Sequence, residues 1–115
     1  MTLRELYDTI GGDYRDTRER MMGETLMRKY MNRFPEDDTF RKMCRAYEAG
    51  NYEDAFEEAH VLKGLFLSLG LGRLTEEVNG LVEALREGWT PEAPAYYGLV
   101  KDDYEILMSA IELLD

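Results

Sequence analysis

The chain has 115 residues, 44% of them hydrophobic and 33% charged, with a formal net charge of −10. That length is typical of one domain with its own core, so we expect a single domain over residues 1–115. The negative charge argues against nucleic acid and anionic membranes as partners, because both need clustered lysine and arginine. Cys44 is the only cysteine, which excludes an intramolecular disulfide. With no apolar signal segment at the N-terminus, these features predict a cytoplasmic protein.

The first half of the chain predicts three helices. Thr2 and Glu5 have the spacing of a capping box, and Gly11 and Gly12 end the helix that they begin. Pro35 stops the second helix because proline cannot continue a helical hydrogen-bond pattern. The expected helices and their inward residues are Thr2–Ile10 (Leu3, Leu6, Tyr7, Ile10), Tyr14–Phe34 (Met21, Met22, Leu26, Tyr30, Phe34 or their neighbours) and Glu36–Ala49 (Phe40, Met43, Cys44, Tyr47).

The second half predicts three further helices. Asn51 caps the first of them, which continues to about Gly70, and Gly88 closes the second. Thr90 followed by Pro91 predicts the start of the last helix, with threonine as N-cap and proline at the first position. Their inward stripes are Ala55, Ala59, Leu62, Phe66 and Leu69; Leu71, Leu74, Val78, Leu81 and Leu85; and Tyr97, Val100, Tyr104, Leu107, Ile111 and Leu114.

No stretch of the sequence alternates between apolar and polar residues with period two, so no strand is expected. The helical stripes and the short breaks between them predict an all-α fold. We expect an antiparallel up-and-down four-helix bundle, with an extra N-terminal helix and a C-terminal helix that completes or caps the bundle.

His60, the only histidine, is predicted to face solvent. At about 100° per residue, it lies about 140° from the centre of the apolar stripe of its own helix. Lys63 and Gly64 are its i+3 and i+4 neighbours, so all three share one helix surface. The lysine brings positive charge. The glycine removes bulk at a cost of about 1 kcal/mol to the helix, which indicates a role other than stability.

The sequence His60-x-x-Lys63-Gly64, followed by Ser68 and Gly70, resembles the motif of histidine-containing phosphotransfer (HPt) domains of multistep two-component signalling. The resemblance implies that His60 accepts a phosphoryl group from a receiver-domain aspartate and passes it to another receiver aspartate in a phosphorelay. Lys63 would offset the phosphoryl charge, and Gly64 would give the partner access. Such a protein is a phosphoryl carrier rather than an autonomous enzyme. It needs no cofactor of its own, and magnesium is expected on the partner receiver domain.

The residues around His60 predict a docking surface for response-regulator receiver domains, with a hybrid sensor kinase as a further candidate partner of this expected monomer. Phe56 and Leu67 project within about 40° of His60, and an apolar ring around a reactive group suits a transient interface. Alternatively, the first helix folds over them as core. Ser68 is either a weak phosphoryl partner or a surface hydroxyl. Glu53 and Glu57 would favour receivers with a basic docking face.

Two departures from the family pattern leave an alternative function open. Residues 65–67 are bulky where the family often has small ones, and Val82 falls where many members place a glutamine that hydrogen-bonds to the imidazole. The alternative is a non-phosphorylated adaptor that binds signalling partners without phosphotransfer. The Glu57-x-x-His60 spacing also occurs in di-iron bundles, but that site needs a second Glu-x-x-His motif, and the chain has one histidine.

Overall fold

Every regular element of the protein is a helix, so the all-α prediction is confirmed. The computed structural model describes all 115 residues and contains no strand. No helix combines the length and apolar character that crossing a membrane requires. A 3₁₀ turn at Phe34–Glu36 separates two of the helices, which are α1 (Leu3–Ile10), α2 (Tyr14–Arg20), α3 (Glu24–Arg33), α4 (Thr39–Glu48), α5 (Tyr52–Ser68), α6 (Gly72–Leu85) and α7 (Ala93–Glu112).

The helices of the second half pack through the predicted apolar stripes. Helix α5 lies against α4 and α6, and α6 also packs against α7. Two stacked aromatic pairs join α4 to α7, with ring centroids 3.7 Å apart in Phe40–Tyr104 and 4.0 Å apart in Tyr47–Tyr97. Because the residue number rises along α4 as it falls along α7, these two helices run in opposite directions.

Two of the predicted helix caps are confirmed. The backbone N–H of Glu5 donates to Thr2 Oγ1 over 3.1 Å, and the Glu5 carboxylate accepts from the Thr2 backbone over 2.9 Å. Asn51 begins α5 by accepting a hydrogen bond from the Asp54 backbone over 3.4 Å. Each cap satisfies an N–H group that the first turn of a helix leaves without a partner.

The prediction of one continuous helix from Tyr14 to Phe34 is wrong. Met22 has φ of 58° and Gly23 has φ of 120°, and an α-helix cannot continue through residues in this left-handed region. The break changes which side of α3 faces inward, so that Met27 and Met31 are buried while Met22 is 94% exposed. Of the other residues expected inside, Phe34 is buried, Met21 is partly buried, and Leu26 and Tyr30 are exposed.

Two predicted helix starts also differ from the structure. Helix α4 begins at Thr39, because the segment after α3 first forms the 3₁₀ turn. Thr90 is not the N-cap of α7, which begins at Ala93. Its hydroxyl instead donates to the Ala84 carbonyl over 2.7 Å and ties the loop to the end of α6. Leu114 lies beyond the end of α7 and is only partly buried.

The C-terminal end of α5 is held by residues from α1 and α2. The Tyr7 hydroxyl donates to the Leu69 carbonyl over 2.7 Å, and the Asp13 backbone N–H donates to the Gly70 carbonyl over 2.9 Å. The Arg20 guanidinium reaches the Ser68 carbonyl over 3.4 Å. Burial raises the pKa of Tyr7 to about 12, which keeps its hydroxyl protonated as a donor. The N-terminal helices therefore satisfy carbonyl groups that the end of α5 would leave unpaired.

Gly70→Ala should destabilise the protein more than Gly50→Ala. Both glycines have positive φ, 72° and 77°, so alanine costs about 1–2 kcal/mol of backbone strain at either position. At Gly70 the new Cβ would also lie 1.7 Å from Thr17 Oγ1, whereas at Gly50 it meets no atom within 4 Å. We expect a further loss of about 1–3 kcal/mol for Gly70→Ala in urea unfolding followed by circular dichroism. Equal losses would contradict the packing of α2 on this turn.

A carboxyl pair lies between α6 and α7. Glu77 is close to Asp103, which forms an ion pair with Arg73 over 3.2 Å, and Glu77 Oε2 is buried without a hydrogen-bond partner. Burial raises the pKa of Glu77 to about 8, and the neighbouring Asp103 carboxylate adds to the shift. Glu77 is therefore mostly protonated at neutral pH.

Stability should fall with rising pH through Glu77. Its folded-state pKa lies above the ordinary value of 4.5, so the stability it contributes is full below about pH 4.5 and is lost as the pH rises through about 8. We expect the Tm of the wild type to fall relative to that of Glu77→Gln between about pH 5 and pH 9. The exposed neighbour provides the control Glu76→Gln, which should follow the wild type. Parallel curves for wild type and Glu77→Gln would contradict this assignment.

Candidate functional site

His60 lies on the outer face of α5, as its phase in the sequence predicts. Ala55, Ala59, Leu62 and Phe66 bury the opposite face of this helix between its neighbours. The His60 side chain is exposed. The imidazole is therefore held on a packed helix and remains open to a partner.

Lys63 and Gly64 share this face with His60. The Lys63 side chain is half-buried, and its position three residues after His60 puts the two side chains on the same side of α5. Gly64 is exposed, and a Cβ built there would meet no atom within 4 Å. The helix surface one turn after His60 therefore carries no side chain and is open to solvent.

Phe56 and Leu67 flank His60 along the same helix. The Phe56 ring centroid lies 6.3 Å from that of the imidazole, and the Arg86 guanidinium covers the same Phe56 ring at 5.4 Å. Leu67 is 62% exposed. Because α1 packs against α7 and α2, it leaves Leu67 uncovered, so the alternative in which the first helix covers Leu67 as core is wrong. Phe56 is partly buried against the core.

The remaining docking candidates lie at the two ends of this face. Ser68 is exposed beside Leu67 and Arg20, in an open groove of about 590 Å³. Glu53 and Glu57 are exposed beside Phe56 and line a second groove of about 460 Å³. The structure thus brings the predicted docking residues to one outer surface, with acidic groups towards the start of α5.

Two further charged residues border this surface, Glu83 of α6 and the residue that caps this helix, Arg86, and sequence analysis did not single them out. Arg86 contacts Phe56 and also donates two hydrogen bonds to Glu83, from Nη2 over 2.8 Å and from Nε over 3.1 Å. These hydrogen bonds lower the pKa of the Glu83 carboxyl, and the charge of Lys63 lowers it further. The i, i+3 spacing of Glu83 and Arg86 predicts a pair within one helix, but not its position beside α5.

The site combines an exposed imidazole, a lysine on the same helix face and an open surface at Gly64. Val82, the residue at the expected glutamine position, is fully buried. No three His, Cys, Asp or Glu side chains lie together in a way that could hold a metal ion.

The chain matches no protein-family model, no curated protein and no solved structure.

Proposed function

We propose that this protein is a histidine phosphotransfer protein of a phosphorelay, with His60 as the phosphoacceptor. The observation that carries the proposal is the exposed His60 on α5, with Lys63 and the open surface at Gly64 one turn later. A carrier that exchanges phosphoryl groups with other proteins needs such a nucleophile on a surface that a partner can approach.

In the proposed reaction, a neutral imidazole nitrogen of His60 attacks the phosphorus of a receiver aspartyl phosphate. The new N–P bond forms as the P–O bond to the aspartate breaks. The aspartate leaves as a carboxylate, and the imidazole proton is released to solvent. Transfer to a second receiver reverses these bond changes. The Lys63 ammonium offsets the charge of about −1.5 to −2 that a phosphoryl group carries, and the partner's magnesium supplies further electrostatic stabilisation.

The proposed fold for this function is an antiparallel up-and-down four-helix bundle of α4–α7. The packing of α5 between α4 and α6, and of α6 against α7, supports this arrangement. The stacked aromatic pairs between α4 and α7 support a closed bundle, which α7 completes. The N-terminal helices α1–α3 are then additions to this bundle, and His60 lies outside them, on α5.

The proposed partners are response-regulator receiver domains, with a hybrid sensor kinase as a further candidate. A receiver would place its aspartate over His60 and cover Phe56 and Leu67, which supply apolar contact area. The acidic Glu53 and Glu57 would favour a basic docking face on the receiver. In this proposal the protein acts as a cytoplasmic monomer and needs no cofactor of its own.

The direct test is intact-protein mass after incubation with phosphoramidate at neutral pH. We expect one added phosphoryl group on the wild type, lost in acid because phosphohistidine is a phosphoramidate, and none on His60→Gln. Circular dichroism of both proteins provides the folding control. A folded wild type that gains no phosphoryl group, or a His60→Gln variant that gains the same one, would contradict the proposal.

Gly64→Ala should stabilise the protein but slow phosphoryl transfer from a receiver domain. Gly64 and Gly98 both lie inside helices, and a Cβ at either meets no atom within 4 Å. Each alanine variant should therefore gain about 1 kcal/mol in the free energy of unfolding. Transfer from a phosphorylated receiver should be about 10- to 100-fold slower for Gly64→Ala only, because the methyl group displaces the docked partner.

Reaction with phosphoramidate distinguishes partner access from chemistry in the same two variants. Phosphoramidate is small and does not dock on α5, so Gly64→Ala and Gly98→Ala should react with it at similar rates. Equal rates of receiver transfer for the two variants would show that the open surface at Gly64 has no part in docking.

The second candidate function is a non-phosphorylated adaptor that uses the same surface. The observation that favours it is the buried, apolar Val82, which offers no hydrogen bond to orient the imidazole. An adaptor would bind a receiver domain with unchanged affinity after His60→Gln. It would accept no phosphoryl group from the receiver or from phosphoramidate.

A further inference from the structure

Arg86 places a second cation beside the His60 site. It ends α6, and its guanidinium lies 5.4 Å from the centroid of the Phe56 ring. That ring in turn lies 6.3 Å from the imidazole. Lys63 belongs to α5 itself, whereas Arg86 caps the neighbouring helix and reaches Phe56, one turn before His60 on α5.

Of these two cations, Glu83 forms an ion pair with Arg86. It accepts two hydrogen bonds from Arg86, over 2.8 Å and 3.1 Å, in a bidentate pair. The charge of Lys63 also acts on its carboxyl group, whose pKa is lowered chiefly by the hydrogen bonds from Arg86. All these side chains are exposed or half-buried. An exposed pair of this kind is weak, so a more highly charged acceptor can displace the carboxylate.

We propose that Glu83 is a positioning residue that holds Arg86 over Phe56 in the unphosphorylated protein and releases it to the phosphoryl group on His60. This inference rests on the proposed function and adds to it a competition between Glu83 and the phosphoryl group for Arg86. A phosphoryl group offers three acceptor oxygens and about twice the charge of a carboxylate, so it is the stronger partner for a guanidinium. Glu83 therefore slows phosphorylation by occupying Arg86.

An i, i+3 pair on a helix surface is also a common stabilising contact, and the two roles predict different kinetics. A contact that only stabilises α6 would leave the reactivity of His60 unchanged when either partner is replaced. A competing carboxylate would change reactivity only while Arg86 is present. The effect of Glu83 must therefore disappear in a variant without Arg86.

The experiment measures the rate of His60 phosphorylation by phosphoramidate, in which the new N–P bond forms, the P–N bond of the donor breaks, and ammonia leaves with the imidazole proton as ammonium. We expect Glu83→Gln to react about two- to fivefold faster than the wild type, the range for releasing an exposed ion pair. Arg86→Gln should react more slowly, and Arg86→Lys should retain part of the lost rate. The double variant Glu83→Gln, Arg86→Gln should match Arg86→Gln alone.

Glu76→Gln is the matched control, because it removes the same charge from an exposed position on the same helix. Its rate should equal that of the wild type. An equal acceleration by Glu83→Gln with and without Arg86, or no acceleration at all, would overturn the inference while leaving phosphorylation of the wild type intact. A wild type that gains no phosphoryl group on His60 would instead overturn the proposed function and this inference together.

Discussion

The carbonyl groups at the C-terminal end of α5 determine where the N-terminal helices can lie. A helix leaves its last carbonyls without partners within the helix, and leaving such groups unpaired in the interior is costly. Tyr7 and Asp13 supply donors to Leu69 and Gly70. Gly70 turns the chain with φ of 72°, and its missing side chain leaves room for Thr17. These contacts fix α1 and α2 at the end of α5.

The open face around His60 follows from that placement. With α1 packed against α7 and with α4 and α6 beside α5, no helix covers Leu67 or Gly64. Because His60, Lys63 and Gly64 lie within two turns of one helix, their relative positions are set by helix geometry. In the proposed phosphotransfer, such a fixed arrangement would lower the entropic cost of transfer.

Local sequence patterns predicted the features that depend on local interactions. The i, i+3 and i, i+4 spacings predicted the buried stripes of α5 and α6 and the exposure of His60. The spacing between each cap residue and its third neighbour predicted the starts of α1 and α5, where the corresponding hydrogen bonds form. Each of these features depends on residues within one or two turns, so the sequence alone contains the information.

The features that were missed depend on contacts between distant residues. Gly23 is tolerable within a helix, and only the packing of Met27 and Met31 into the core requires the chain to break before them. Thr90 has a suitable neighbour in Pro91, but the Ala84 carbonyl takes its hydroxyl. The place of Arg86 beside Phe56 depends on the register between α5 and α6. None of these contacts can be predicted without the three-dimensional packing.

The central claim is that a phosphoryl group binds covalently to the imidazole of His60 in the folded protein. The most direct measurement is a phosphorus–proton correlation NMR spectrum of the protein after reaction with phosphoramidate. The account predicts one protein-bound phosphorus signal, coupled to the imidazole ring protons of His60. A spectrum without a protein-bound signal, or with phosphorus coupled to a lysine side chain instead, would contradict it.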